Sequence, residues 1–204
     1  MPDYKLTYFD FDGGRGEPIR IALHVAGIEF EDERLAFPDF STAQPGFRFY
    51  AVPVFSVDGA QITQSNAIGR YIGKMAGLYP SDNLQALYCD EVVEALEDLT
   101  NHIVQTFFLE GDALKQAREK LVEGRMAVYL KGLEELLTRG GGEYFADGQL
   151  TMADIKAFVQ MRALRAGVLD HVPTDIVERL APGMAAHSER VAADPRVAGY
   201  YASR

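Results

Sequence analysis

Residues 51–73 read AVPVFSVDGAQITQSNAIGRYIG, and the residue types run in the order strand, turn, strand, helix. Val52, Val54 and Phe55 make an apolar, β-rich run. Asp58-Gly59 closes a two-residue hairpin because both positions tolerate φ > 0, and Ala60 to Thr63 supply the return strand. Ser65 is then expected to cap a helix. Ile68, Tyr71, Ile72 and Met75 recur at i, i+3, i+4 and i+7, which predicts one face against a core. The Ser65 hydroxyl and the free amides of Asn66 and Ala67 are left facing outward as an anion site. Pro53 cannot donate to a sheet ladder, so it marks an edge or a turn into the strand, and its peptide bond is one that can be cis.

Upstream, Tyr4, Leu6 and Tyr8 alternate with Lys5 and Thr7, which predicts a strand over Asp3 to Phe9. A glycine-rich turn from Asp12 to Gly16 leads to Pro18, tolerated in a first helical turn, and Ile19, Ala22, Leu23 and Ala26 give a helix that stops at Gly27. A second strand is expected near Phe30 to Leu35. Strand, helix and strand in one sheet favour a right-handed parallel crossover, so this half reads as βαβ followed by ββα. Between the two parts, Phe37 to Tyr50 has two prolines, a glycine and no period, and is expected to be an exposed loop.

Downstream the chain reads as helical. The expected division is 1–77 for the mixed half, 78–83 for a linker and 84–204 for an all-helical bundle. Leu84, Leu87, Tyr88, Val92, Leu96 and Leu99 trace a long helix with an acidic side of Asp90, Glu91, Glu94 and Glu97, ended near Gly111. Leu114 to Leu137 is a second long helix, with Met126, Leu130, Leu133 and Leu137 on one face, halted by Gly140-Gly141-Gly142. At Leu150-Thr151-x-x-Asp154-Ile155, threonine and aspartate can form a variant of the capping box and Leu150 can staple onto Ile155. Shorter helices near Ile176 to Leu180 and Met184 to Ala193 complete the bundle, with Pro182 and Asp194-Pro195 as breaks.

Composition narrows the function. The chain has 204 residues, 48% hydrophobic and 25% charged, enough for one large core or two modest ones. No window reaches the roughly 18 consecutive apolar residues of a membrane span, and the N-terminus lacks the pattern of a secretory signal, so a cytoplasmic location is expected. A net charge of -10 without a basic patch disfavours nucleic acid and anionic membrane as partners. The single cysteine, Cys89, excludes an internal disulfide and a CxxC redox pair, and the four histidines show no metal-ligand spacing. The glycines at 13, 14 and 16 are not a dinucleotide fingerprint, because Ile19 stands where its last glycine would be.

Several segments taken together carry a resemblance. They are Tyr8-Phe9 with Gly16-Glu17-Pro18-Ile19-Arg20, Val52-Pro53, Gln64-Ser65 opening its helix, Leu96-Glu97-Asp98-Leu99, and Leu150-Thr151-Met152-Ala153-Asp154. In that order and spacing they resemble the cytosolic glutathione transferases over nearly the whole chain. The likeness is greatest to the sigma class, which includes glutathione-dependent prostaglandin D synthases and lens crystallins. The resemblance implies a thioredoxin-like N-terminal domain and a C-terminal helical bundle. It also implies a homodimer that conjugates glutathione, a co-substrate rather than a prosthetic group, to small hydrophobic electrophiles. A glutathione-dependent prostaglandin isomerase and a non-catalytic carrier are the alternatives on the same fold.

The resemblance also assigns residues. Tyr8 would donate its hydroxyl to the glutathione sulfur, with Arg15 as second contributor. Gln64 and Ser65 would hold the γ-glutamyl carboxylate, the backbone at Val52, before Pro53, would pair with the cysteinyl unit, and Asp98 would reach the ligand's amino group in the neighbouring subunit. The second substrate would lie among Phe9, Arg15, His102, Gln105, Thr106 and Phe108, with Tyr201 beyond. Two departures stand out. The interval from Tyr8 to Arg15 is one residue longer than the family's usual spacing. Phe40 and Gln44 stand where the family carries a tryptophan and a lysine for the glycine end, which leaves Arg48 as a substitute. Without the resemblance, Tyr8 reads as a packed strand tyrosine, Gln64-Ser65 as a helix start, and Glu97-Asp98 as a solvated face.

Overall fold

The computed structural model describes residues 2–204. Four strands, β1 (Tyr4–Phe9), β2 (Glu31–Leu35), β3 (Val54–Val57) and β4 (Ala60–Ile62), form one sheet in the order β2-β1-β3-β4. The first pair is parallel, with Tyr8 beside Arg34, and α1 (Glu17–Val25) is the crossover between them. The other pairs are antiparallel, with Leu6 opposite Phe55. The Asp58-Gly59 turn has both residues at positive φ, 50° and 81°, as the dipeptide predicts, and the Val52-Pro53 bond is cis. Residues 37–50 are less irregular than expected. Three 3₁₀ turns flank the short α2 (Phe40–Ala43), and Pro38 and Pro45 each start a turn. Phe37, Phe49 and Tyr50 in this segment are exposed.

Helix α3 (Ser65–Met75) is rotated relative to the expected face. Ile68 and Ile72 are buried as predicted, but Tyr71 and Met75 are each 45% exposed, and Gly69 and Gly73 take their place inside. The cause is Met152, which lies where a Cβ on Gly73 would come within 2.6 Å of its Cγ. Close approach of another helix selects the glycine stripe over the larger apolar residues.

The remaining elements are α4 (Asn83–Val104), α5 (Gly111–Leu121), α6 (Ala127–Arg139), α7 (Met152–Arg165), α8 (Ile176–Leu180), α9 (Pro182–Ala193) and α10 (Pro195–Ala202). The first long helix ends at Val104, short of the expected Gly111. There Thr106 turns its hydroxyl back onto the Ile103 carbonyl at 2.7 Å and Arg118 reaches the same hydroxyl, while Gly111 opens α5. The expected helix from Leu114 to Leu137 is two helices joined by a wide turn over Val122–Met126, where Gly124 sits at φ −102°, ψ −105°. The face of Met126, Leu130, Leu133 and Leu137 is buried all the same. The break at Asp194-Pro195 is also a start, since the Asp194 carboxylate accepts the Arg196 amide at 2.9 Å and opens α10, which the sequence reading did not anticipate.

α7 is the central member, packed against α1, α3, α4 and α9. Its start is fixed by Asp154, which is fully buried. One carboxylate oxygen accepts the Thr151 amide and hydroxyl at 2.7 and 2.6 Å, and the other accepts the Phe145 amide at 3.1 Å and faces His187 Nε2 at 2.9 Å. Leu150 and Ile155 are both buried beside this cap. The Met152 amide donates to the carbonyl of buried Leu78 at 2.8 Å, which docks the sheet half onto the bundle.

Candidate active site

The turn from Asp10 to Gly16 lies over Tyr8. A Cβ on Gly16 would stand 2.4 Å from Tyr8 Cδ1, and one on Gly14 would stand 2.5 Å from the Tyr8 hydroxyl, so both glycines are required by close approach. The turn is braced from behind by Arg20, which is wholly buried and donates to Asp32 at 2.9 Å and to the Phe11 carbonyl at 3.1 Å. Within the turn Gly14 has φ 60°. The Arg15 amide accordingly points at Tyr8 and donates to its hydroxyl oxygen at 3.0 Å.

Tyr8 itself is buried, 5% exposed. Burial raises its phenol above the usual range, and the Arg15 amide with the charges of Arg15 and Arg20 only partly offsets this. The phenol therefore stays protonated at neutral pH. Its oxygen is taken as an acceptor by Arg15, which leaves the hydroxyl hydrogen for another acceptor.

The Arg15 side chain extends to α4. Its Nε donates to Glu97 Oε1 at 2.6 Å and its Nη2 to Asn101 Oδ1 at 2.8 Å. Burial works to raise the Glu97 carboxyl, but Lys156 and then Arg15 outweigh it and hold it below the ordinary range. The same arginine lines a cleft of about 380 Å³ between the domains, whose wall also holds Arg48, Val52, Pro53, Gln64, Ser65 and Glu97. Gln64 enters α3 with φ 73°, and Ser65 is the first helical residue where it was expected to be the cap. The first helical bond runs from the Ile68 amide to the Gln64 carbonyl at 3.0 Å, so the amides of residues 65 to 67 point out of the helix start toward this cleft.

The structure thus brings Arg15, Arg48, Val52, Pro53, Gln64 and Ser65 together in one cleft, and ties Tyr8, which is not in its lining, to Arg15 through the amide bond. Others fall elsewhere. Phe40 packs edge-on against Phe9, with ring centroids 5.1 Å apart, and neither it nor Gln44 lines the cleft. Asp98 lies on the side of α4 facing α6, where it accepts the Tyr129 hydroxyl at 3.3 Å. Glu97 and Asn101 are the α4 residues at the cleft of their own chain. The sequence held a signal for this: Asp90, Glu94, Glu97 and Asn101 recur at helical spacing, and the side read as acidic and solvated meets Arg70, Asn66 and Arg15.

The residues expected around the second substrate are not gathered in one cavity. His102, Gln105 and Thr106 line a groove of about 610 Å³ between α4 and the α5–α6 region. Tyr201 lines a separate cleft with α7 and α9. Phe108 is 91% exposed, and Phe9 stacks on Phe37 at 4.5 Å beside Tyr8. Cys89 is buried, and burial pushes its thiol up to about 11, which keeps it out of nucleophilic chemistry. Among the described residues, no group of three or more His, Cys, Asp or Glu could hold a metal, and no helix is long and apolar enough to cross a membrane.

The family model for the glutathione S-transferase N-terminal domain matches residues 4–74, and the model for the C-terminal domain matches 97–204. The chain belongs to the glutathione S-transferase family. This transferase is 36% identical over 160 residues to glutathione S-transferase 1 of Ascaris suum, covering 76% of this chain and 77% of that one. It is 30% identical over 204 residues to the hematopoietic prostaglandin D synthase of Gallus gallus, covering 100% and 98% of the two chains. Among solved structures it is similar to prostaglandin synthase D of Nilaparvata lugens, with a TM-score of 0.88 at 31% identity over 100% and 98% of the chains. The protein is a glutathione transferase, and glutathione is its co-substrate. The domain architecture is that of the family, a thioredoxin-like sheet domain and a helical domain.

Proposed function

We propose that the transferase activates glutathione between Tyr8 and the start of α3 and adds the thiolate to small hydrophobic electrophiles. The observation that carries this reading is Arg15, whose amide donates to the Tyr8 hydroxyl and leaves that hydroxyl's own hydrogen for another acceptor, and which lines the same cleft as Val52 and Ser65. In this reading the γ-glutamyl carboxylate lies on the outward amides of α3 with the Ser65 hydroxyl and Gln64 beside it. The cysteinyl unit pairs with the backbone at Val52 as an added strand would. Arg48 receives the glycine carboxylate, since Gln44 lies off the cleft. Tyr8 donates to the sulfur. Lowering the thiol pKa by about two units requires about 2.7 kcal/mol of differential stabilisation, which one or two charge-assisted donors can supply.

The reading places the enzyme in the sigma class, as a cytoplasmic homodimer in detoxification, with Asp98 of each chain reaching the γ-glutamyl ammonium held by its partner. Supporting the dimer is the exposure of Asp98 on α4, away from its own chain's cleft. Prostaglandin isomerisation by the same thiolate is the second reading, favoured by full-length similarity to two prostaglandin D synthases. Turnover of a chlorinated aromatic electrophile against turnover of a prostaglandin endoperoxide separates them.

The test of the shared step is Tyr8→Phe. Glutathione should bind nearly as before, while the ultraviolet band of its thiolate in the complex should titrate at a pH roughly one to two units higher. A complex whose thiolate titrates at an unchanged pH would remove Tyr8 from the chemistry.

A further inference from the structure

Lys156, in the second turn of α7, stands apart from the residues the resemblance assigns. Its side chain is only 11% exposed, yet it ends in a fixed place between the domains. Nζ donates to Glu97 Oε2 at 2.8 Å and also to Asn66 Oδ1. Glu97 holds Arg15 Nε with its other oxygen at 2.6 Å, and the Arg15 amide holds the Tyr8 hydroxyl. Asn66 follows Ser65 directly and donates its own amide to Glu94 at 2.8 Å. One ammonium therefore touches two arms, one leading to the sulfur end of the cleft and the other to the carboxylate end.

We propose that Lys156 is a positioning residue for thiolate formation: it occupies the far oxygen of Glu97, so that Glu97 orients Arg15 without cancelling its charge, and it fixes the start of α3 in register with that arm. The assignment rests on the reading of the cleft as the glutathione site. Its physical basis is a charge count. Arg15 and Lys156 share one carboxylate, Glu97, so these three groups carry one net positive charge beside the cleft. Without the lysine the pair of Arg15 and Glu97 is neutral, and the carboxylate, with only one cation left, draws the guanidinium onto itself. The other charged groups around Lys156 are Arg70 on α3 with Asp90 and Glu94 on α4; Arg70 pairs with both acids, at 2.9 and 3.2 Å, so this triad is negative by one and the six groups together are neutral with the lysine and negative by one without it. They leave Glu97 as the partner through which the lysine acts on Arg15. Tyr79, also on the wall of this interdomain space, gives its hydroxyl to Asp90 at 2.9 Å.

The experiment compares wild type with Lys156→Met, Lys156→Gln and Lys156→Arg, reading the thiolate band of the glutathione complex and kcat/KM for a chlorinated aromatic electrophile as functions of pH. Lys156→Met should raise the pH at which the bound thiol titrates by about half a unit to one unit, and so lower kcat/KM roughly three- to tenfold on the acid limb of its profile, with recovery at alkaline pH. Lys156→Gln, which keeps a donor and loses the charge, should fall between, and Lys156→Arg should restore most of the wild-type profile. In a Glu97→Gln background the methionine substitution should add no further shift, because no carboxylate charge remains for the lysine to occupy. A merely structural lysine would lower activity evenly across pH and show no such dependence on Glu97, and that outcome overturns the assignment. So does a normal wild-type profile with an unshifted Lys156→Gln, the variant that remains informative should the methionine protein not fold. A wild-type complex lacking the thiolate band overturns the reading of the site, and this assignment with it.

Discussion

Replacing Asp154 by alanine should unfold the transferase long before it alters its chemistry. The carboxylate is fully buried and receives the Thr151 amide and hydroxyl, the Phe145 amide and the His187 ring at distances from 2.6 to 3.1 Å. Alanine leaves the two amides and the imidazole without an acceptor in the core, and each such orphan costs about 1 to 3 kcal/mol. The cap of α7 goes as well, worth about 1 kcal/mol. Allowing the threonine hydroxyl to turn to another acceptor and a water to enter, the loss should be about 4 to 6 kcal/mol, a large share of the roughly 5 to 15 kcal/mol that folded domains possess. Equilibrium unfolding in urea, followed by circular dichroism, measures it. Asp154→Asn keeps one acceptor and turns an amide toward the remaining donors, so it should lose less than alanine and more than nothing. The effect should also be coupled to His187: in a His187→Phe background the alanine substitution should cost less than in wild type, since one orphan has already been removed. A loss below about 1.5 kcal/mol for Asp154→Ala would refute the reasoning, because no combination of orphaned donors on this scale gives so little.

Two further outcomes follow from the turn and from the charge cluster. Gly16→Ala places a Cβ 2.4 Å from the Tyr8 ring at a backbone conformation alanine accepts, so the turn must lift. Stability should fall by about 1 to 3 kcal/mol, while kcat/KM falls further than the population of folded protein can explain. An alanine variant with normal activity would show that the turn need not press on Tyr8. For Glu97, the folded carboxyl lies below its unfolded value, so it contributes stability that is present above the unfolded pKa and lost as pH falls through the lower, folded one. Glu97→Gln should therefore melt at a lower temperature than wild type at neutral pH, and the two melting curves should converge in acid below the ordinary carboxylate range. A gap that persists unchanged into acid would place the effect in packing instead of charge.

Much of the architecture was legible because its signals are local. The Asp58-Gly59 turn, the alternation in β1 and the threonine and aspartate at the start of α7 depend on neighbours within a few residues, and each took the form its sequence required. Tyr8 and Ser65 were legible as members of a pattern spread along the chain, and the cleft brings Ser65 to the Arg15 that holds Tyr8. Periodicity failed where a helix offers more than one apolar face. On α3 the glycines won over Tyr71 and Met75 because Met152 needs their space. On α4 the acidic side proved to be the interdomain face.

The sequence by itself determined where the strands and most of the helices lie and which turns join them. Only the tertiary structure decided which way each helix is turned about its own axis. That packing left Glu97 as the α4 carboxylate at this chain's own cleft, with Asp98 on another side, and put Lys156 against Glu97 and Asn66. The reason is physical. Turns and caps are closed by bonds a few residues long, whereas the rotation of a helix is the joint optimum of packing against several distant segments, and no short window of sequence contains those partners.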